Sequence, residues 1–215
     1  MATDINLIIK NLLEFYDFRD KVVISVGAGG GQMIEYARPA KKVIAIDNDE
    51  GAITKLKENL KQSDLGNKFK VIHSNFFDAD VKGDVVLFEI CLHEMSDPVL
   101  ALKKAGTMAP DTVIFDHLPG KWSFYTAETE KIERGWKAIR AAAPRKEAEF
   151  NAVQIFKNHD EIYENPSSSS ASIFLSIWVI ILMMESVLGL FTFDGLSTLL
   201  LAGPGLFASL RISFI

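Results

Sequence analysis

Val22 to Gln32, VVISVGAGGGQ, runs from β-branched residues into four glycines within five positions. A helix-like segment with Met33, Ile34, Tyr36 and Ala37 follows. The pattern reads as a strand, a tight turn and a helix start, an arrangement that turns backbone N–H groups toward a bound ligand. Gly27, Gly29 and Gly31 have separate tasks: positive φ in the turn, close approach of a ligand, and close packing of helix on strand. About twenty residues further on, KKVIAIDND supplies a second buried strand that ends in Asp47, with Asn48 beside it. A carboxylate at that tip can accept both hydroxyls of a ribose, so loop and acid together predict an adenosine-containing cofactor. The bland alternative is a glycine-rich turn followed by an exposed Asp.

Bulk properties narrow the partners. A chain of 215 residues is long enough for one α/β domain with a sizeable core. Its net charge of −5 and the absence of a basic run argue against a nucleic-acid partner and for a small-molecule substrate. The single cysteine, Cys91, excludes a disulfide framework and any multi-cysteine cluster or structural zinc site within one chain, so no metal is expected. A reducing cytoplasm suits this composition, and the N-terminus lacks the basic and apolar regions of an export signal.

Asp4 to Phe18 places Ile5, Ile8, Ile9, Leu12, Phe15 and Tyr16 on one helix face. Glu50 to Leu60 repeats the pattern with Ile53, Leu56 and Leu60. KFKVIHSNFFD reads as a third strand, with Asn75 placed to pair with an adenine edge and Phe76 either stacking on the ring or packing in the core. GDVVLFEI is a fourth strand, apolar on both faces. Glu89 near its end, followed by Cys91, His93 and Glu94, brings titratable groups to the crevice where such sheets reverse strand order. Cys91 reads as a small apolar residue rather than a nucleophile, and His93 as either a structural histidine or one that meets substrate. Asp97-Pro98 opens another helix. TVIFDHLPG is a fifth strand ending in Asp116 and His117, and Trp122, Phe124, Tyr125 and Trp136 either line an acceptor pocket or form a core stripe. Five alternations of strand and helix specify an α/β, doubly wound, Rossmann-like, mostly parallel sheet.

With these motifs assembled, residues 12 to 164 resemble the class I S-adenosylmethionine-dependent methyltransferases. VISVGAGGG is similar to the family's first motif, VIAIDND to its acidic second motif, SNFFD to its adenine-side motif and FEICLHEMSDP to the motif after its fourth strand. The resemblance implies S-adenosyl-L-methionine as cofactor, with Gly27, Ala28, Gly29 and Gly31 at its methionine part, Asp47 and Asn48 at the ribose, Asn75 and Phe76 at the adenine and Glu89 on the sulfonium side. Methyl transfer to a small-molecule acceptor is the implied reaction, with His93, Glu94 and His117 as candidate bases. The chain departs from the family pattern at Ser25, where many members carry an acid, and at Asn75, where many carry Asp. Both replacements keep hydrogen-bonding capacity. Two alternatives stand beside this reading: a non-catalytic cofactor-binding or membrane-tethered scaffold, and an NAD-dependent oxidoreductase, which the loop and Asp47 would serve equally well. The latter lacks a Tyr-x-x-x-Lys pair.

Composition changes after Pro166. Residues 165–171 form a Ser-rich linker, and beyond it only Glu185, Asp194 and Arg211 are charged. Ile173 to Phe193 is long enough to cross a bilayer as a helix, though Glu185 is costly there, whereas Leu196 to Leu210 suits a re-entrant or surface segment. The expected organisation is therefore a methyltransferase domain over 1–164, whose closing strands are missing or altered, and an apolar tail over 172–215. That tail reads as a membrane anchor, a buried or oligomeric element, or an out-of-frame addition. The oligomeric state is left open.

Overall fold

The computed structural model describes residues 2–3, 5–119, 126–155 and 207–214. Eight strands form one sheet: β1 (Ala2–Thr3), β2 (Val22–Val26), β3 (Lys42–Asp47), β4 (Phe69–His73), β5 (Val85–Glu89), β6 (Asp111–His117), β7 (Lys146–Ile155) and β8 (Phe207–Phe214), in the spatial order β1-β7-β8-β6-β5-β2-β3-β4. Strands β2 to β6 run parallel, in the order 4-3-2-5-6, which places the reversal of strand order between β2 and β5. The five strands read from sequence are the five parallel strands found.

Alternation along each strand sorts the core into two layers. Val23, Val43, Ala45, Val85, Leu87, Val113 and Phe115 face α1 (Ile5–Phe15) and α2 (Glu50–Gln62). Ile24, Val26, Ile44, Ile46, Val86, Phe88 and Ile114 face α3 (Pro98–Met108) and α4 (Thr126–Ala141). Helix α1 buries Ile8, Ile9, Leu12 and Phe15 as its periodicity requires. Asp49 caps α2 by accepting the Ala52 N–H at 2.6 Å, and Asp97 caps α3 by accepting that of Leu100 at 2.9 Å, with Pro98 in the first turn. Trp136 is 2% exposed and its Nε1–H donates to the His117 carbonyl, so it belongs to the core stripe. Trp122, Phe124 and Tyr125 lie outside the described residues.

Two expectations are corrected. The helix expected after the glycine turn is only a single 3₁₀ turn, Ile34–Ala37. Arg38 still has helical angles (φ −52°, ψ −48°), and Pro39, which offers no N–H, cannot carry the turn further. The closing strands, expected to be missing or altered, are present. Strand β8 inserts antiparallel between β6 and β7, with His117 opposite Leu210, Val113 opposite Phe214 and Phe150 opposite Leu210. Thus Phe207 to Leu210, assigned from sequence to a re-entrant or surface segment, are part of the sheet. The backbone of this strand is hydrogen-bonded on both sides. The linker 165–171 and the apolar run 173–193 lie outside the described residues. Among the described residues no helix is long and apolar enough to cross a membrane.

Removing residues 207–215 would expose one hydrogen-bonding edge each of β6 and β7. The shortened chain is expected to aggregate or to lose its cooperative thermal transition, which size-exclusion chromatography and calorimetry would read. A soluble, equally stable truncate would show that β8 is dispensable to the sheet.

Candidate active site

The strand tips are tied together by backbone bonds. Gly27 N–H donates to the Ile46 carbonyl at 3.0 Å, Ser74 N–H to that of Asp47 at 2.9 Å and Ile90 N–H to that of Phe115 at 2.8 Å. At the carboxyl edge they surround a cavity of about 420 Å³, lined by residues that follow β2, β3, β4 and β5. Ligands of open α/β sheets bind at this edge, beside the reversal of strand order, and the volume lies in the usual range for cofactor sites.

The turn after β2 places Gly27, Gly29 and Gly31 at φ +68°, +52° and +78°, a region that costs other residues energy. A Cβ on Gly27 would meet Cys91 Cβ at 2.5 Å, and one on Gly31 would meet Leu56 Cδ1 at 2.6 Å. The third glycine therefore lets α2 approach, rather than a helix of its own. The N–H of Gly29 donates to Asp47 Oδ2 at 2.8 Å, and the N–H of Asp49 donates to Oδ1 at 2.9 Å. The acid is thus locked against the glycine turn while facing the cavity.

Of the residues singled out for the cofactor, Gly27, Asp47, Asn48, Asn75, Phe76 and Glu89 line this cavity. Ala28, Gly29 and Gly31 shape the turn without reaching the lining. Asn75 caps the 3₁₀ turn Phe76–Asp78 by accepting the Phe77 N–H at 2.9 Å. Phe76 is 5% exposed and packs edge-on against Phe88 at 5.4 Å, which gives it a core role as well. Sequence reasoning missed Phe77, Ile90, Met95 and Ser96, which also line the space. Apolar residues in loops carry no periodic signal, and the φ of +52° at Ile90, a strained value for a β-branched residue, is visible only in the fold.

Glu89 is the most perturbed acid here. Ser25 Oγ–H donates to its Oε1 at 2.5 Å, and the buried Tyr36 phenol lies against the same pair. Burial pushes the carboxyl up to about 7; the hydrogen bond from Ser25 and the nearby Tyr36 phenol oppose that rise, and the neighbouring Asp47 charge adds to it. Burial likewise pushes the Cys91 thiol well above its ordinary value, and Sγ donates to the Val26 carbonyl at 3.1 Å, so it is not a ready nucleophile.

The three candidate bases separate. Glu94 lines the cavity, with Oε2 accepting from Lys131 Nζ at 2.8 Å and Oε1 3.4 Å from His93 Nε2. His93 is buried outside the lining, with Nδ1 2.6 Å from Asp116 Oδ1 and its backbone N–H donating to Oδ2 at 3.1 Å. His117 packs edge-on against the His93 ring at 5.4 Å, and burial lowers it to about 4. Asp116, which the sequence marked only as a strand end, organises both histidines. Among the described residues no group of His, Cys, Asp or Glu is arranged to hold a metal ion.

Residues 24–109 match the family model of a methyltransferase domain. Over 87 residues the chain is 34% identical to the tRNA (guanine(37)-N(1))-methyltransferase Trm5b of Methanocaldococcus jannaschii, a stretch that is 40% of this chain and 26% of that protein. Among solved structures, the fold resembles the candidate methyltransferase BH2331 of Bacillus halodurans C-125, with a TM-score of 0.64 at 15% identity over 96% of each chain. It also resembles a SAM-dependent methyltransferase of Aquifex aeolicus, with a TM-score of 0.53 at 22% identity over 66% of this chain and 80% of that one.

Two substitutions probe the site. Gly27→Ala would drive Cβ into Cys91 and is expected to lower Tm, read by calorimetry, and to abolish nucleoside binding. Glu89→Gln tests the half-buried acid. Below about pH 4.5 the carboxyl is protonated folded or unfolded, between 4.5 and about 7 only the folded chain keeps the proton, and above that the fold must ionise a partly desolvated group. The stability from the retained proton is therefore lost as pH rises through about 7. Glu89→Gln is expected to raise Tm at pH 8 and leave it nearly unchanged at pH 4. His117 acts in the opposite sense, with stability lost as pH falls from 6.5 toward about 4.

Proposed function

Since residues 24–109 match the family model of a methyltransferase domain, we propose that this chain is a class I S-adenosylmethionine-dependent methyltransferase and transfers the methyl group of that cofactor to a small-molecule acceptor entering beside Glu94, Met95 and Ser96. The observation that carries this reading is the shared lining: Gly27 and Asp47 face the same cavity as Glu94, Met95 and Ser96. A cofactor on the first pair and an acceptor against the second group would meet without crossing bulk solvent.

The residues fit the cofactor. Asp47 is held by two backbone N–H groups yet keeps lone pairs for ribose hydroxyls. Asn75, Phe77 and Glu89 line the same cavity; in this reading the first two would take the base and Glu89 the cationic end. When bound, S-adenosylmethionine supplies a methyl carbon on a good leaving group. The chain's own contribution is alignment, exclusion of water and removal of a proton from the acceptor. Glu94 is the base in this reading, because it alone of the three candidates lines the cavity, and the Lys131 ammonium and the His93 ring fix its carboxylate.

Charge supports the small-molecule acceptor. Asp47, Glu89 and Glu94 line the cavity and no Lys or Arg does so among the described residues. Such a lining repels a phosphate backbone and welcomes a neutral or cationic molecule. The archaeal tRNA methyltransferase relative favours a second reading, with RNA as acceptor.

One assay addresses both readings. Incubating the protein with methyl-labelled S-adenosylmethionine, a metabolite extract and, separately, unfractionated tRNA is expected to label a small molecule and not the RNA. Labelled tRNA would replace the acceptor assignment. Calorimetry is expected to show S-adenosylhomocysteine binding, weakened at least about tenfold in Asp47→Ala because a charged hydrogen-bond acceptor is lost. Binding of NADH without S-adenosylhomocysteine would end the methyltransferase reading. Glu94→Gln is expected to lower kcat by about 10² or more while leaving S-adenosylhomocysteine affinity nearly unchanged.

A further inference from the structure

Three acids line one cavity, and they are supported unequally. The Asp47 carboxyl accepts the N–H groups of Gly29 and Asp49, and that of Glu94 accepts from Lys131 Nζ. Among the described residues no cation acts on Glu89. Facing it are the Ser25 hydroxyl from β2, the Tyr36 phenol from the 3₁₀ turn, the Asp47 carboxylate from β3 and the Cys91 thiol from the loop after β5, with Asp116 of β6 beyond the thiol. Hydroxyls can donate to a carboxylate or accept from a carboxylic acid, so they tolerate either state. When like charges share a desolvated space, the one without backbone donors or a counter-ion keeps its proton. A positive charge brought into that space reverses the preference.

We propose that Glu89 is the cation-responsive carboxyl of this cavity: it holds a proton in the free protein, and a ligand bringing an ammonium or sulfonium against it displaces that proton to solvent. The O–H bond breaks, the proton passes to buffer, and the carboxylate left behind pairs with the ligand's charge. The inference rests on the reading that this cavity takes S-adenosylmethionine, and it adds that cofactor binding is coupled to proton release. The upward shift of Glu89 sets the window, near and below neutrality. Because S-adenosylhomocysteine lacks the sulfonium, it displaces less of the proton than S-adenosylmethionine does. Cofactor would therefore loosen relative to product as pH falls.

The test is calorimetric titration of the full chain with S-adenosylmethionine and with S-adenosylhomocysteine at about pH 6, where the ligand amine stays protonated. Each titration is run in two buffers of different ionisation enthalpy. The expected result is a release approaching one proton per S-adenosylmethionine, a smaller release for S-adenosylhomocysteine, and an affinity for the former that rises up to about tenfold per pH unit below neutrality. Glu89→Gln is expected to bind with no buffer-dependent heat. Ser25→Ala, which removes a hydrogen bond favouring the carboxylate, is expected to move the release window to higher pH. Binding with equal heats in both buffers, or release that persists in Glu89→Gln, would overturn the proton coupling and leave the methyltransferase reading intact. Failure of both ligands to bind would overturn the two together.

Discussion

The bond from the Gly29 N–H to the Asp47 carboxylate, 2.8 Å long and spanning 18 residues, is the contact on which the site depends. Three successive odd-numbered glycines at positive φ form a turn with little intrinsic preference for one shape. A charge-assisted hydrogen bond, worth about 1.5–3 kcal/mol, selects the shape in which the turn faces the tip of β3. The same bond aims the acid, since its second oxygen is taken by Asp49 at the start of α2. Cap, acid and glycine turn are therefore one unit, and Leu56 of α2 fills the space that a side chain on Gly31 would need.

The far wall of the cavity is organised by a different acid. Asp116 at the end of β6 accepts from the His93 ring and backbone and from the His117 N–H, which pins the loop after β5 to its neighbouring strand. Helix α4 then clamps that loop from outside: Lys131 binds Glu94, Arg134 reaches the His93 and Met95 carbonyls, and Gly135 lets the helix backbone approach His93 closely. The two histidines are consumed in this scaffold. Glu94, one residue further along, is what the scaffold delivers to the cavity.

Closure of the sheet joins the chain's far ends. Strand β8 lies between β6 and β7, so its insertion supports the edge from which Asp116 acts. Tyr16 donates to Asp111 at 2.7 Å, and Lys146 Nζ reaches the Phe15 carbonyl at 2.8 Å, which ties α1 to the same edge. A hydrophobic stretch can read as tail or as final strand, because burial on both faces removes the alternation that distinguishes a half-exposed strand. The partners that decide the matter lie on β6 and β7, about a hundred residues or fewer away in sequence and adjacent only in space.

The sequence by itself determined the five parallel strands, their order of connection to helices, and the pairing of a glycine turn with an acid. All of these are written in local periodicity, turn chemistry and capping residues such as Asp97-Pro98. It also pointed to Glu89 and Glu94 as residues of the crevice, because the first ends and the second follows a strand that is apolar on both faces. Tertiary structure alone decided that His93 and His117 turn inward, that Phe77, Ile90, Met95 and Ser96 join the lining, and that β8 completes the sheet. Those outcomes depend on which side chains meet across separate elements, and a one-dimensional pattern holds no record of that until packing brings the elements together.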